Sequence, residues 1–207
     1  KKKISSKLYK IDTYKVKKTL KKIKNKYLLS QNNLENISFV LGIAGNFGIR
    51  LNIVLKALNK FKGLPHRQER ISINKEIICI NDSKATNFDS SLQSLKSYKN
   101  IFWIVGGLPK TADKFQLKGI KKDIIRAYII GKHMNYFKRY LKGKIDFRLC
   151  KTLKNAIISI FKDTQNIKDK AITILLSPAS ASYDQFKNFE ERGNYFKNLT
   201  IKKFKRG

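Results

Sequence analysis

The chain has 207 residues, with 46 Lys and Arg against 14 Asp and Glu, and a formal net charge of +32. Apolar residues at 42% and aromatics at 11% are ample for one real core, which excludes a wholly disordered chain despite the charge. No apolar run approaches the roughly 18 residues that span a bilayer, so membrane insertion by a helix is not expected.

Residues 1–30 are lysine-rich with sparse apolar positions (Ile4, Leu8, Ile11, Val16, Leu20, Ile23) and read as strands or the exposed edge of something larger. From Leu34 the period becomes helical. Ile37, Val40, Leu41, Ala44 and Phe47 share one face, as do Leu51, Val54, Leu55 and Leu58, giving two helices parted near Gly48. "KGLPHR" (62–67) breaks the pattern with Gly and Pro and sets a domain boundary between 1–63 and 64–207. Beyond it, apolar runs at 76–80, 101–105, 124–130, 145–149 and 171–176 read as strands. Helical stretches at 88–98, 133–141 and 152–162 lie between most of them, and a last one begins near Phe186. Alternation of this kind predicts an α/β fold: a mainly parallel, doubly wound sheet joined by right-handed crossovers.

Cys79 and Cys150 sit inside apolar runs without metal-ligand spacing and read as reduced core residues of a cytoplasmic protein. His66 and His133 are isolated, which speaks against a metal site, and no His accompanies a Ser or Cys in nucleophile-like spacing. The basic residues comprise eight Arg and 38 Lys, beside 27 Ile and 17 Asn. Lys, Asn and Ile all have A/T-rich codons, and a base-reading surface would favour Arg. The charge therefore reads mostly as a solvated face with no specific nucleic-acid partner. A basic nucleic-acid-binding α/β module is the rival reading.

In open α/β sheets ligands bind beyond the carboxyl ends of the strands. Three polar loops are predicted there: "NDSKATN" (81–87), "GGLPKTAD" (106–113) and "SPASASYDQFKNFEERG" (177–193). Asp82, Asp113, Asp184, Glu190 and Glu191 lie in them although acids are scarce, beside Lys84, Lys110, Ser177, Ser180 and Ser182. Each feature has a plainer reading: Thr86 or Asn87 as a helix cap, the paired glycines as a turn, the serines as a small-residue connection. The residues alone reach an α/β domain with a crevice suited to anions.

"GLPHRQE" (63–69), "INDSKATN" (80–87), "IVGGLPK" (104–110) and "LLSPASASYDQFKNFEERGNYF" (175–196) together resemble the Mur ligase family, most closely the branch that adds D-glutamate. "NNLENISFVLGIA" (32–44) resembles a motif of that family's central domain. The resemblance implies that 1–63 is the tail of an α/β ATP-binding central domain and 64–207 a dinucleotide-fold-like C-terminal domain. The phosphate loop and the domain that binds the uridine nucleotide would then lie outside this chain, which begins without Met, as would most ligands of a Mg2+ ion. The implied reaction is ATP-driven joining of D-glutamate to UDP-N-acetylmuramoyl-L-alanine through an acyl phosphate, in peptidoglycan precursor synthesis, by a cytoplasmic monomer. By motif match, Asn36, Arg67, Asp82 and Lys84 would face the nucleotide, with Lys84 catalytic and Asp82 suited to a sugar hydroxyl. Thr86, Lys110, Ser182, Tyr183 and Phe189 would form the D-glutamate pocket.

Overall fold

The computed structural model of the chain describes residues 13–29, 31–74, 76–110, 115–167 and 170–204. The chain divides into two compact units, 1–63 and 64–207.

The first unit is helical: α1 (Thr13–Leu20), a 3-10 turn at Lys26–Leu29, α2 (Gln31–Asn46) and α3 (Leu51–Lys60). The expectation of strands before residue 30 is therefore wrong for its described part. Val16 and Leu20 recur at a step of four, on one helical face, and the intervening lysines favour helix over strand. Ile4, Leu8 and Ile11 lie outside the described residues. Ile23, Leu28, Ile37, Ala44, Val54 and Leu58 form the small core of this unit. Asn25 closes it by donating from Nδ2 to the carbonyls of Leu58 (3.0 Å) and Phe61 (2.7 Å). Val40 and Phe47, predicted on the buried face of α2, are exposed, Phe47 at 79%.

The second unit holds a six-stranded sheet: β1 (Glu69–Ser72), β2 (Ile77–Asn81), β3 (Ile101–Gly106), β4 (Ile124–Ile130), β5 (Phe147–Lys151) and β6 (Ile172–Leu176). The order is β1-β2-β6-β3-β4-β5, all parallel except the antiparallel edge strand β1. Helices α4 (Phe88–Ser97), α5 (Met134–Leu141), α6 (Leu153–Thr164) and α7 (Phe189–Phe204) cover it. The period-2 alternation of β3 shows how the sheet is filled on both faces. Ile101, Trp103 and Val105 join the core under α4 and α5, with Phe88, Leu95, Phe137 and Leu141. Phe102 and Ile104 join the core under α6 and α7, with Leu153, Ile157, Ile160 and Phe196.

The predicted mainly parallel, doubly wound α/β fold is what forms. Two details differ. β5 runs two residues later than the 145–149 expected, because Ile145 is buried in the turn after α5 and pairing with β4 starts at Phe147. β1 was not foreseen; Glu69–Ser72 is short and polar at three of its four positions, and only its pairing with β2 makes it a strand.

Candidate functional site

Because β6 inserts between β2 and β3, the loops that follow these three strands become neighbours at the carboxyl end of the sheet. Their polar groups are joined by hydrogen bonds rather than left to solvent. Asp82 follows β2, is 6% exposed, and donates its own N–H to the carbonyl of Leu176 at the end of β6 (2.8 Å). Its Oδ1 accepts from Gln68 N (3.2 Å) and its Oδ2 from the hydroxyls of Ser94 (2.6 Å) and Ser177 (2.9 Å). Burial pushes this carboxyl up to about 6, against those three bonds and the charge of Arg67, which pull it down. The carboxylate predicted to meet a sugar hydroxyl is thus engaged inside the protein, tying β2, α4 and the loop after β6 together.

Ser177, the first residue after β6, is fully buried, and its carbonyl accepts from Trp103 Nε1 (2.7 Å) and the Ser91 hydroxyl (3.1 Å). Gly106 ends β3 and Gly107 follows it, with φ of +128° and +137°. A Cβ on either would run into backbone, the Ile130 carbonyl or the Ala181 carbonyl, so these glycines do more than turn the chain. Just beyond them Leu108 and Ala181 exchange N–H···O bonds of 2.9 and 3.0 Å, fastening the 106–110 loop to the serine loop.

Arg192 was missed in the sequence. It lies on α7, is 1% exposed, and reaches both loops beside it. Nε donates to the Ser83 hydroxyl (3.0 Å) and Nη2 to the carbonyls of Ser83 (2.8 Å) and Ser180 (3.0 Å). Nη1 is buried without a hydrogen-bond partner and lies on the side of Gly107 where a Cβ would sit. Burial pulls this guanidinium down to about 10, against the charge of Asp184. The only advance signal was one of just eight arginines in the chain, inside "FEERG" at 189–193.

The remaining predicted residues fall as follows. Lys84 is half-buried; its N–H donates to the His66 carbonyl (3.0 Å), and its Nζ stands 3.9 Å above the centre of the Phe189 ring. Asn87 caps α4 by accepting from Ser90 N (2.9 Å), which leaves Thr86, half-buried, out of the cap. Ser182 is buried and Tyr183 is 71% exposed. Lys110 is exposed, and its carbonyl accepts from the Tyr136 hydroxyl (3.3 Å). Asp113 lies outside the described residues. Asp184 accepts from Lys132 N (2.8 Å), and Glu191 from Lys187 N (2.7 Å). Arg67 is exposed beside the Asp82 loop, whereas Asn36 is an exposed residue of α2 in the other unit. Cys79 and Cys150 are free and buried, and no described helix is long and apolar enough to cross a membrane.

This arrangement presents cations, hydroxyls and backbone at the carboxyl ends of three adjacent strands, which suits an anionic ligand. The fold is shared with Mur ligases. It matches MurF from Acinetobacter baumannii with a TM-score of 0.61 at 14% identity, covering 82% of this chain and 38% of that one. It also matches MurF from Thermotoga maritima, solved in complex with ADP, with a TM-score of 0.54 at 16% identity over 83% and 39% of the two chains. No family model matches the chain.

Sequence gives the finer relation. The chain is 38% identical over 176 residues to the UDP-N-acetylmuramoylalanine–D-glutamate ligase of Rickettsia felis, covering 85% of this chain and 39% of the relative. The protein of that name from Rickettsia prowazekii is 39% identical over 85% of this chain and 40% of its own length. Over most of its length the chain is thus homologous to the D-glutamate ligases of the Mur family, and it spans about two fifths of the curated relatives it matches.

Proposed function

We propose that this chain is the C-terminal part of an ATP-dependent ligase that joins D-glutamate to UDP-N-acetylmuramoyl-L-alanine in peptidoglycan precursor synthesis. Residues 1–63 are the tail of the central ATP-binding domain, and 64–207 form the C-terminal domain. The observation that carries this reading is the 38% identity over 85% of the chain to ligases of that name. The converging strand-end loops support it.

In this reading the γ-phosphoryl group of ATP passes to the carboxylate of the alanyl substrate, giving an acyl phosphate and ADP. The unprotonated amine of D-glutamate attacks the acyl carbon, and the tetrahedral intermediate expels phosphate to leave the amide. Little covalent chemistry falls to the protein, which positions the partners and neutralises phosphate charge. Arg67 and Lys84 receive the nucleotide's phosphates; Asn36, in the first unit, is assigned to the nucleotide by its motif. Asp82 serves that side by holding the loop that carries Lys84. Thr86, Lys110, Ser182, Tyr183 and Phe189 receive D-glutamate, Lys110 pairing with a carboxylate, so that the amine is left free. Among the described residues no group of three or more His, Cys, Asp or Glu is placed to hold a metal ion.

The complete ligase works as a monomer in the cytoplasm, a compartment that suits two buried free thiols. The lysine-borne charge gives at most sequence-blind, salt-sensitive nucleic-acid binding.

The test joins this chain to the first three fifths of the Rickettsia felis ligase and measures phosphate release from ATP. Release that requires both D-glutamate and the muramoyl-alanine nucleotide is expected, while the 207-residue chain alone should give none. Turnover by the chain alone, or a preference for another amino acid, would overturn the reading.

A further inference from the structure

Lys84 is unusual among the site's charged groups in the partner that holds it. Among the described residues it enters no ion pair, although Asp82 is two positions away. The Asp82 carboxylate is taken up by Ser94, Ser177 and Gln68. The Lys84 ammonium instead stands 3.9 Å over the face of Phe189. That ring makes a T-shaped contact with His66, with centroids 6.0 Å apart at 79°. The backbone fixes the same pair: Lys84 N donates to the His66 carbonyl (3.0 Å), and the Ser83 hydroxyl donates to the Phe189 carbonyl (2.8 Å). His66, Lys84 and Phe189 are therefore locked as one assembly at the first residue of α7.

We propose that Phe189 is a positioning residue for Lys84, its ring face aiming the ammonium at an anionic group of the nucleotide. The inference rests on the reading of Lys84 as a phosphate ligand and gives Phe189 a role beyond the D-glutamate pocket. A carboxylate partner would neutralise the lysine and compete with phosphate for it. An aromatic face attracts a cation through its quadrupole but brings no net charge and accepts no hydrogen bond of comparable strength. The ring thus orders a flexible four-carbon stem before the ligand arrives and leaves the charge unspent, which is preorganisation. Because Phe189 also begins the helix that carries Arg192, the phosphate lysine is coupled to the element that clamps the Ser83 and Ser180 loops.

The experiment uses this chain joined to the first three fifths of the Rickettsia felis ligase, with ATP, followed by NMR. The ε-methylene protons of Lys84 should resonate upfield, shifted by the ring current, and Phe189→Leu should return them to the ordinary lysine position. Phe189→Leu should weaken ATP binding about three- to fivefold, the scale of one cation–π contact, whereas Phe189→Tyr should bind like the parent. Incorporating 3,4,5-trifluorophenylalanine at 189 keeps the shape and removes the negative face. It should weaken ATP in the same direction, which a purely packing role would not do. In a Lys84→Met background, Phe189→Leu should cost nothing further.

Absence of the upfield shift, or parent-like ATP binding by the fluorinated protein, would overturn the proposal while leaving Lys84 a phosphate ligand if Lys84→Met alone weakens binding. If Lys84→Met leaves ATP affinity unchanged, the reading of Lys84 fails first, and the inference falls with it.

Discussion

Two polar clusters of the second unit use the same ingredients, arginine, aspartate and hydroxyl, to opposite ends. Where β4, β5 and α6 meet, Arg126 takes Asp146 through Nε (2.7 Å) and Nη2 (2.6 Å), and Asp163 through Nη1 (2.7 Å). Asp163 also accepts from the Tyr128 hydroxyl (2.6 Å) and lies 3.4 Å from Arg148. Burial opposes charge here but loses: Tyr128, Arg126 and Arg148 hold Asp163 below the ordinary carboxylate range, and Asp163 and Asp146 raise Arg126. At the carboxyl ends of β2, β3 and β6 the balance reverses. Arg192 is buried against neutral oxygens with Nη1 unpaired, and Asp82 is buried against hydroxyls and an N–H. Burial wins for both, and each is displaced towards its neutral form. The first cluster is compensated within itself and suits stability. The second leaves a buried guanidinium hydrogen-bonded to neutral oxygens alone, with Asp184 acting on it only at a distance, the electrostatic setting in which an incoming carboxylate or phosphate gains most.

The comparison is broken most directly by removing the two arginines. Arg192→Met removes the donor to two buried carbonyls, and should cost about 3 kcal/mol in urea unfolding. Arg126→Met, at a partly exposed cluster, should cost about 1 kcal/mol. Equal losses would mean that the two clusters are not different in kind.

Titration sharpens the contrast. The folded carboxyl of Asp82 sits near 6, above its unfolded value, so its contribution is present below about pH 4 and is lost as pH rises through 6. Asp82→Asn should therefore gain stability relative to the parent between pH 4 and 7, by on the order of 2–3 kcal/mol. Asp163 is shifted the other way, so the parent's advantage over Asp163→Asn should shrink as pH falls. Chemical denaturation across pH checks both, and matching slopes would refute the contrast.

Lys110 and Lys84 test ligand recognition beside the second cluster. In the joined ligase, Lys110→Met should raise KM for D-glutamate at least about tenfold, or about 1.4 kcal/mol, and change the ATP requirement little. Lys84→Met should instead impair nucleotide use and kcat. Unchanged D-glutamate saturation in folded Lys110→Met would make Lys110 one more solvated lysine.

Much of this was legible in the chain. Runs such as "IFWIV" are apolar on both alternating faces, so they had to become central parallel strands, and Gly, Pro and the shift of period marked the elements between them. The strand-end loops could be found because their composition departs from their surroundings, and the resemblance of "NDSKATN" and "SPASAS" assigned them a use. Local pattern could not give partners. Nothing in the sequence says that β6 enters between β2 and β3, and that insertion is what brings Ser177 to Asp82 and Arg192 to Ser83, 95 and 109 positions apart. Nor could residue type tell that Asp82 is engaged inside the protein, that Asn87 and not Thr86 caps α4, or that Phe189 meets Lys84. Secondary structure follows from periodicity along the chain, a local property. The charge state and direction of a side chain depend on burial and on neighbours supplied by distant segments, and only the folded sheet brings those together.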